Sequence, residues 1–268
     1  MSKLKGRGAT ENILSERFSS STRMEDGDWM DLLTLVDGEA AAPATSVTIE
    51  KPRAIIARNS SPDIGFDQSI NAYRGCEHGC IYCYARPTHA WHDLSPGLDF
   101  ETKLFAKPDA AVLLSAELQK RTYVVKPIAM GTNTDPYQPI ERDWHITRQC
   151  IEVLAECRHP LFITTKSDRV LRDIDLLSRM AQDGLVAVGI SVTTLDPAVA
   201  RTLEPRAPHP ERRIAAIARL ADAGIPVHAC VSPIIPAITD HEIETIVGRV
   251  AAAGARSVFW IPVRLPHE

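Results

Sequence analysis

The sequence predicts an α/β domain in which parallel strands alternate with helices, and three observations support this class. From residue 71 onward, short apolar runs alternate with longer segments whose apolar residues recur at helical spacing. The run at residues 186–192 is almost continuously apolar, which is typical of a parallel strand buried on both faces. Three predicted helices are followed directly by Gly184, Gly224 and Gly254, and glycine is the residue that most often ends a helix.

Residues 1–50 precede this pattern and are mostly polar, so we expect a largely irregular or disordered N-terminal arm with a short helix near residues 29–35. The core spans residues 51–268 and opens with an irregular lead-in over residues 51–70. Its predicted strands are about 69–73, 124–130, 161–165, 186–192, 227–231 and 257–263, and its predicted helices are about 110–121, 146–157, 170–183, 210–223 and 240–253. Six such strands imply a parallel sheet with helices outside it, and they are too few for an ordinary eight-stranded barrel.

Composition and charge narrow the function classes. Residues 1–50 hold 5 Lys and Arg against 9 Asp and Glu, and the rest of the chain holds 25 of each. This balance lacks the basic excess of many nucleic-acid-binding proteins, so it neither supports nor excludes a nucleic-acid substrate. No apolar run approaches the length of a membrane span, and the first residues lack the apolar core of a signal peptide. We therefore expect a cytoplasmic protein that does not interact with membranes.

The strongest chemical signal is a triplet of cysteines, Cys76, Cys80 and Cys83, in a C-x3-C-x2-C spacing. This spacing lets three thiolates converge on one centre, and Gly75 and Gly79 provide the backbone freedom that a tight ligating loop needs. Thiolates select iron–sulfur clusters, zinc or copper(I). A cubane cluster normally takes four cysteines, so three ligands leave one iron open for chemistry.

Two alternatives stay open at this point. His78 could join the three cysteines as the fourth ligand of a Cys3His zinc site, although the sequence shows no second pair of metal ligands elsewhere. Six cysteines are also compatible with three disulfides, but a tight triplet without a signal peptide favours metal binding. The remaining cysteines, Cys150, Cys157 and Cys230, are expected to be small buried hydrophobic residues.

The cysteine motif, with Tyr82 just before its third cysteine, resembles the signature of the radical S-adenosylmethionine (SAM) enzymes. The wider stretch, residues 71–76 and 84–87, resembles the spore-photoproduct-lyase-like branch, whose members are also called DNA repair photolyases. One bacterial subgroup of that branch carries the motifs Gly6-Arg7-Gly8-Ala9 and Arg17-Phe18, which are both present here.

The resemblance covers nearly the whole chain and implies a fold, a radical SAM-type (β/α)6 partial TIM barrel with the cluster after the first strand. Family members usually continue further beyond the sixth strand than the five residues found here, so we expect a C-terminal segment to be missing.

The resemblance also implies an activity. Cys76, Cys80 and Cys83 would bind a [4Fe–4S] cluster, and SAM would bind its open iron through the amino and carboxylate groups. One electron from the cluster would cleave SAM to methionine and a 5′-deoxyadenosyl radical, which abstracts hydrogen from a substrate. The implied partners are an electron donor such as flavodoxin or ferredoxin and an unidentified substrate, with nucleic acid as one candidate. The rival hypothesis is a non-catalytic binding protein that is stabilised by zinc or by a cluster.

Candidate SAM contacts are polar residues at the carboxyl ends of the predicted strands, where parallel barrels place their functional groups. After the second strand, the resemblance places contacts to the SAM amino group within residues 131–135, although Asn, Asp and Pro there also favour a simple turn. After the third strand, Lys166 could pair with the SAM carboxylate or could simply be a solvated lysine. The fourth strand ends in hydroxyl-bearing residues that resemble the ribose and methionine contacts of the family. Arg206 could clamp a carboxylate or phosphate, or form a salt bridge with Glu204 or with a neighbouring unit.

The full set of predicted SAM contacts is Tyr82, Gly131, Thr132, Asn133, Thr134, Asp135, Lys166, Ser191, Thr193 and Arg206. The chain departs from spore photoproduct lyases at one point. Those enzymes use an additional cysteine near the end of the second strand as a hydrogen donor, and residues 131–134 hold no cysteine. We therefore expect no repair of spore photoproduct by that route, and we assign no catalytic residue.

Overall fold

The structure is a computed structural model that describes residues 6–9, 12, 44–62 and 64–264. The strands, in chain order, are β1 (Ser46–Ile49), β2 (Ile56–Arg58), β3 (Gln68–Ile70), β4 (Tyr73–Arg74), β5 (Lys103–Ala106), β6 (Ile128–Met130), β7 (Leu161–Thr165), β8 (Val186–Ser191), β9 (Val227–Ile234) and β10 (Ser257–Pro262). The α-helices are α1 (Asp99–Thr102), α2 (Ala110–Leu118), α3 (Glu141–Trp144), α4 (Ile146–Glu156), α5 (Ile174–Gln182), α6 (Pro197–Leu203), α7 (Pro210–Asp222) and α8 (Ile243–Ala252). In the described part of the chain, 3-10 helices lie at Arg86–His92, Asp168–Asp173 and Asp240–Glu242.

The main sheet has the strand order β10-β9-β8-β7-β6-β3-β2. All neighbours from β3 to β10 are parallel, and only the edge strand β2 is antiparallel. Within the described residues, β10 does not pair back onto β3, so the sheet is open. The six parallel strands follow one another in chain order, which confirms the predicted α/β class with an open, barrel-like parallel sheet.

The core lies between the sheet and the helices outside it. Ile163 on β7 and Val188 on β8 are completely buried, and so are Ile151 and Leu154 on α4 and Ile217 on α7. Each buried aliphatic side chain of this kind contributes roughly 1.5–3 kcal/mol to stability. The apolar spacing of the helical segments therefore places one face of each helix against the strands, as the periodicity predicts.

Several elements differ from the expectation in length. The second barrel strand begins only at Ile128, because Pro127 lacks an N–H group for the ladder and both Val124 and Val125 are mostly exposed. The predicted helix at 170–183 starts as the 3-10 helix Asp168–Asp173 before α5. Helix α6 was not predicted, although Asp196 caps it by accepting from the amides of Ala198 and Val199.

The predicted first strand is divided, and this division shapes the site. β3 ends at Ile70, and β4 leaves the main sheet to pair antiparallel with β5, which pairs parallel with β1. This second sheet, in the order β1-β5-β4, supports the chain directly before the first cysteine of the motif. β1 lies within the predicted N-terminal arm, but most of the arm, including residues 29–35, lies outside the described residues. The division of the chain at residue 50 stays a prediction.

Two smaller observations complete the fold. Among the residues that the structure describes, no helix combines the length and the apolar character needed to cross a membrane. Cys150 and Cys230 are buried as expected, but Cys157 is exposed. The expectation for Cys157 was wrong because α4 ends at Glu156, so the cysteine lies at the helix terminus instead of on its buried face.

Candidate active site

The cysteine loop, which we define as residues 75–84, lies at the carboxyl ends of the parallel strands. It contacts the segment after β6 through Gln138, the segment after β7 through Lys166 and the end of α6 through Leu203. All three cysteines of the loop are free thiols; the first is buried, and the other two are partly exposed. The sheet therefore brings the predicted metal ligands to the edge where the other predicted site residues emerge.

Two glycines of the loop are required by its geometry. Gly75 has a φ of +74°, and a Cβ on it would lie 2.5 Å from a methyl group of Leu104. Gly79 has a φ of +68°, and a Cβ on it would lie 2.8 Å from a carboxylate oxygen of Glu101 and 3.2 Å from Pro205. Only glycine combines this backbone conformation with such close packing.

The surroundings of the thiols combine burial with positive charge. Burial raises the pKa of each thiol, and that of Cys80 rises to about 12. The ammonium group of Lys166 opposes this rise of the pKa at both Cys80 and Cys83. The backbone amides of Ala85 and Arg86 also donate toward the sulfur of Cys83. Cations and N–H donors of this kind stabilise thiolates, the form that binds metal.

The segment after β6 holds the first cysteine in place. Gln138 is fully buried, and its side chain accepts from the amide of Glu77 at 3.0 Å and donates to the carbonyl of Gly75 at 3.1 Å. These two residues flank Cys76, so one side chain fixes the backbone on both sides of the ligand. The backbone amide of Asp135 donates to the sulfur of Cys76 itself.

The carboxylate of Asp135 holds the segment after β6 in place through hydrogen bonds. Its carboxylate accepts from Thr165 Oγ1 at 2.6 Å, from the amide of Lys166 at 2.7 Å and from the amide of Tyr137 at 2.9 Å. Burial works against its charge, but nearby His78 and these hydrogen bonds lower the pKa of Asp135 to about 2. Asp135 therefore ties the segment after β6 to the end of β7. Its predicted contact with SAM stays a prediction.

Residues 131–134 form the first part of the segment after β6. Gly131 has a φ of +89°, and a Cβ on it would lie 2.0 Å from the carbonyl oxygen of Thr164, so the segment passes directly over β7. The side chain of Asn71 accepts from the amide of Asn133 at 3.0 Å and donates to Thr132 Oγ1 at 3.1 Å. Thr134, also predicted as a SAM contact, is buried and donates to the backbone carbonyl of Tyr73 on β4.

A buried ionic network lies on the other side of the cysteine loop. Glu204 is 2.5 Å from Arg213 Nη2 and 3.8 Å from Lys166 Nζ, and it accepts from the hydroxyls of Tyr82 and Thr193. Burial opposes the charge of Glu204, but the two cations lower its pKa to about 2. Burial likewise works against the charge of Lys166, but Glu204 and Cys80 hold its pKa above the usual value.

The structure thus brings Tyr82, Thr193 and Lys166 together around one carboxylate. The Lys166 ammonium lies 5.8 Å from the centre of the Tyr82 ring, and its side chain is only 17% exposed, so it is not a freely solvated lysine. Ser191 is buried at the end of β8. Arg206 pairs with Glu77 at 3.1 Å, which is a salt bridge with a neighbouring unit and not with Glu204.

Several residues that build the site were not singled out from the sequence. Gln138, Glu101 and Arg86 hold the cysteine loop, and Arg213 is the main partner of Glu204. Arg213 is 2% exposed on α7 beside apolar neighbours. Its position on the buried face of the helical pattern, next to Ile214, was a signal that could have identified a buried ion pair.

The donor set fits an iron–sulfur cluster in its chemistry. Three soft thiols lie within one short loop, next to cationic Lys166 and to backbone amides that donate to sulfur. The alternative zinc ligand, His78, has its Nδ1 atom 3.4 Å from Asp135 Oδ2 and is 2% exposed. In the part of the chain that the structure describes, no three His, Cys, Asp or Glu side chains stand ready as a site for a single metal ion.

Comparison with known families shows which proteins the chain is similar to. The model of the radical SAM superfamily matches residues 70–250, a range that includes the cysteine loop and the network around Glu204. The chain belongs to the radical SAM superfamily. The resemblance of the cysteine motif to this superfamily is thereby confirmed.

The relatives in sequence come from bacteria, archaea and viruses. Proteins of Mycobacterium tuberculosis and Mycobacterium bovis are 36% identical over 229 residues, which are 84% of this chain and 67% of theirs. A protein of Methanocaldococcus jannaschii is 32% identical over 204 residues, which are 76% of this chain and 73% of that protein. A protein of Acidianus two-tailed virus is 27% identical over 200 residues.

The fold is also found in solved structures. A spore photoproduct lyase variant with bound AdoMet and dinucleoside spore photoproduct has a TM-score of 0.63 and 18% identity. A second spore photoproduct lyase structure, in complex with dinucleoside spore photoproduct, has a TM-score of 0.58 and 19% identity. They cover 82% and 80% of this radical SAM chain, which spans less than two thirds of either lyase chain, namely 63% and 60%. This likeness shows that the radical SAM protein shares the lyase fold.

Proposed function

We propose that this enzyme binds a [4Fe–4S] cluster through Cys76, Cys80 and Cys83 and SAM beside it. The observation that carries the proposal is the convergence at one edge of the sheet. The cysteine loop, the end of the segment after β6 and the buried network around Glu204 contact one another there, although they are far apart in sequence. When bound, the reduced cluster supplies the electron that cleaves SAM into methionine and a 5′-deoxyadenosyl radical.

The protein's own residues then position SAM. Lys166 is held charged by Glu204 and lies beside Cys80, so it offers a cation to the SAM carboxylate. The side chain of Asn71 holds residues 132 and 133, and the backbone carbonyls and hydroxyls of residues 131–134 offer acceptors to the SAM amino group. Hydroxyls at Ser191 and Thr193 lie near the end of β8 and suit the ribose and methionine parts of SAM. We assign Tyr82 and Arg206 to the same site as supporting residues.

The substrate is the least constrained part of the proposal. The spore photoproduct lyase structures hold a dinucleoside spore photoproduct, and their shared fold makes a nucleic acid one candidate substrate here. The absence of cysteine from residues 131–134 argues against the lyase reaction by the same route. An electron donor such as flavodoxin or ferredoxin and a cytoplasmic location complete the proposal.

Anaerobic reconstitution with iron and sulfide, followed by reduction in the presence of SAM, tests this function directly. We expect formation of 5′-deoxyadenosine, and we expect Cys80→Ala to abolish it because one cluster ligand is lost. Cys157→Ala is the matched control, since Cys157 is exposed at the end of α4, and it should retain full activity. Retained SAM cleavage in Cys80→Ala would refute the cluster assignment.

The same experiment separates the enzyme from a zinc-stabilised binding protein. Zinc in the anaerobically purified protein, without iron or sulfide, would favour a Cys3His site. The structure argues against this alternative, because His78 lies against Asp135 and the two side chains are almost fully buried together. His78→Ala should therefore still bind iron and sulfide through the three cysteines, whereas a Cys3His zinc site would lose one of its four ligands.

A further inference from the structure

The motif Gly6-Arg7-Gly8-Ala9 forms a short segment, here called the strap, that lies against the outer side of the cysteine loop. The amides of Gly8 and Ala9 donate to the two carboxylate oxygens of Glu101 at 3.0 and 2.8 Å. Arg7 Nη1 donates to the backbone carbonyl of the same glutamate at 2.9 Å. Arg7 is 5% exposed. One buried residue of α1 therefore binds the strap through three hydrogen bonds.

Glu101 also holds the cysteine loop through a second contact, the side chain of Arg86. Its side chain is completely buried and lies 2.5 Å from Arg86 Nη2. Arg86 in turn donates to the carbonyl of Cys80 through Nη2 at 2.9 Å and through Nε at 3.1 Å. The guanidinium thus connects the carboxylate that binds the strap to the backbone of the second cysteine. A charge-assisted hydrogen bond of this kind fixes the relative positions of the two side chains more strictly than a neutral hydrogen bond does.

The strap and the loop are in direct backbone contact. A Cβ on Gly8 would lie 1.7 Å from the carbonyl oxygen of Gly79 and 3.0 Å from a methyl group of Ile81. The backbone of Gly8 shows no positive φ, so this glycine is required by the close approach alone. The strap covers the loop between its first and third cysteines, and any side chain at position 8 would push the two apart.

From these contacts we infer that Glu101 is a positioning residue for the cysteine loop and that the strap closes the loop's outer side. Glu101 acts through Arg86 on the backbone of Cys80 and through Gly8 on the backbone of Gly79. The inference rests on the proposed function only in that this loop carries the cluster. The strap keeps the thiols in their binding arrangement before a cluster is present and limits access of solvent to it afterwards.

Alkylation of the metal-free protein by iodoacetamide, followed by mass spectrometry, tests the strap without any cluster. Gly8→Ala should raise the alkylation rates of Cys80 and Cys83 about tenfold, because it breaks at least one charge-assisted hydrogen bond and tenfold corresponds to about 1.4 kcal/mol. The rate at exposed Cys157 should stay unchanged in the same sample. Gly65→Ala is the matched control, since a Cβ there would meet nothing within 4 Å.

A second measurement uses the reconstituted enzyme and a second variant. Glu101→Gln keeps the size of the side chain but removes the charge that Arg86 faces. We expect Gly8→Ala and Glu101→Gln to release iron to a chelator several-fold faster and to change the electron paramagnetic resonance spectrum of the reduced cluster. A role in folding alone would lower the cluster content without changing the spectrum. Unchanged alkylation rates at Cys80 and Cys83 in both variants would overturn the inference, whether or not a cluster forms.

Discussion

Replacing Glu204 with glutamine tests the main electrostatic feature of the site. The carboxylate lies 2.5 Å from Arg213 Nη2 and 3.8 Å from Lys166 Nζ, and the side chain is completely buried. Glutamine keeps the volume and can still accept from Thr193 and Tyr82. It removes the negative charge, however, and leaves Arg213 as a buried cation without its counter-ion. The variant therefore isolates the ionic interaction from the packing.

Two independent arguments give the same loss in the free energy of unfolding for Glu204→Gln. The arginine and lysine lower the pKa of Glu204 to about 2 from its ordinary value of 4.5. Through linkage this difference corresponds to about 3 kcal/mol of stability at neutral pH. Breaking a buried ion pair by removing one partner typically costs 3–5 kcal/mol. Because the folded pKa lies below the unfolded one, this stability is fully present above about pH 4.5 and is lost as the pH falls toward 2.

Urea denaturation of the metal-free protein at a series of pH values measures both effects. We expect Glu204→Gln to lower the free energy of unfolding by about 3 kcal/mol at pH 7 and by progressively less below pH 4.5. Glu211→Gln is the control, because Glu211 forms an exposed pair with Arg249 at 2.7 Å. Such surface pairs contribute about 0–1 kcal/mol. Equal losses in the two variants would show that the buried pair does not hold Glu204 ionised.

Two further predictions concern SAM binding by the reconstituted enzyme. Gly131→Ala should raise the Kd for SAM at least about tenfold without loss of iron. The added Cβ would lie 2.0 Å from the carbonyl oxygen of Thr164 and would displace the segment after β6. An unchanged Kd in equilibrium dialysis would contradict a role of this segment in SAM binding. Lys166→Met should also raise the Kd for SAM about tenfold, because a hydrogen bond to a charged group is lost. Lys126→Met is its control, since Lys126 is half exposed and pairs with Asp67; equal affinities of the two lysine variants would refute the assignment of Lys166.

The regular part of the fold is readable from local patterns. β7 and β8 are apolar runs of ordinary strand length, and the buried face of α4 follows the helical period, so local preference and tertiary packing agree. The small sheet was not predictable in the same way. β4 has only two residues, and it pairs with β5 about thirty residues later, after an irregular stretch without apolar periodicity. Strand pairing over such a distance leaves no local signal.

The site residues likewise fall into those that the sequence predicts and those that it does not. The cysteines, Lys166 and Asp135 carry distinctive chemistry or follow predictable strands, so the sequence places them at one edge of the sheet. The pairing of Glu204 with Arg213 depends on how the segments around α6 and α7 turn back across the sheet, so the position of Arg213 on an apolar helix face indicates burial but does not identify its partner. Prediction from sequence thus finds the groups that do chemistry more readily than the groups that hold them.

The holding groups matter because the cysteine loop has little structure of its own. Ordering a residue costs about 1–2 kcal/mol of backbone entropy, and the loop's two positive-φ glycines make its unfolded state especially flexible. The compensating contacts come from Gln138 and from the salt bridge between Arg206 and Glu77, which reach the loop from distant parts of the chain, and from Arg86, which follows the loop directly. Gln138 and Arg86 fix the backbone at different parts of the motif. Loss of one of them should therefore loosen a ligand whose sulfur it does not touch, and the iron-release rate will report such losses more sensitively than overall stability does.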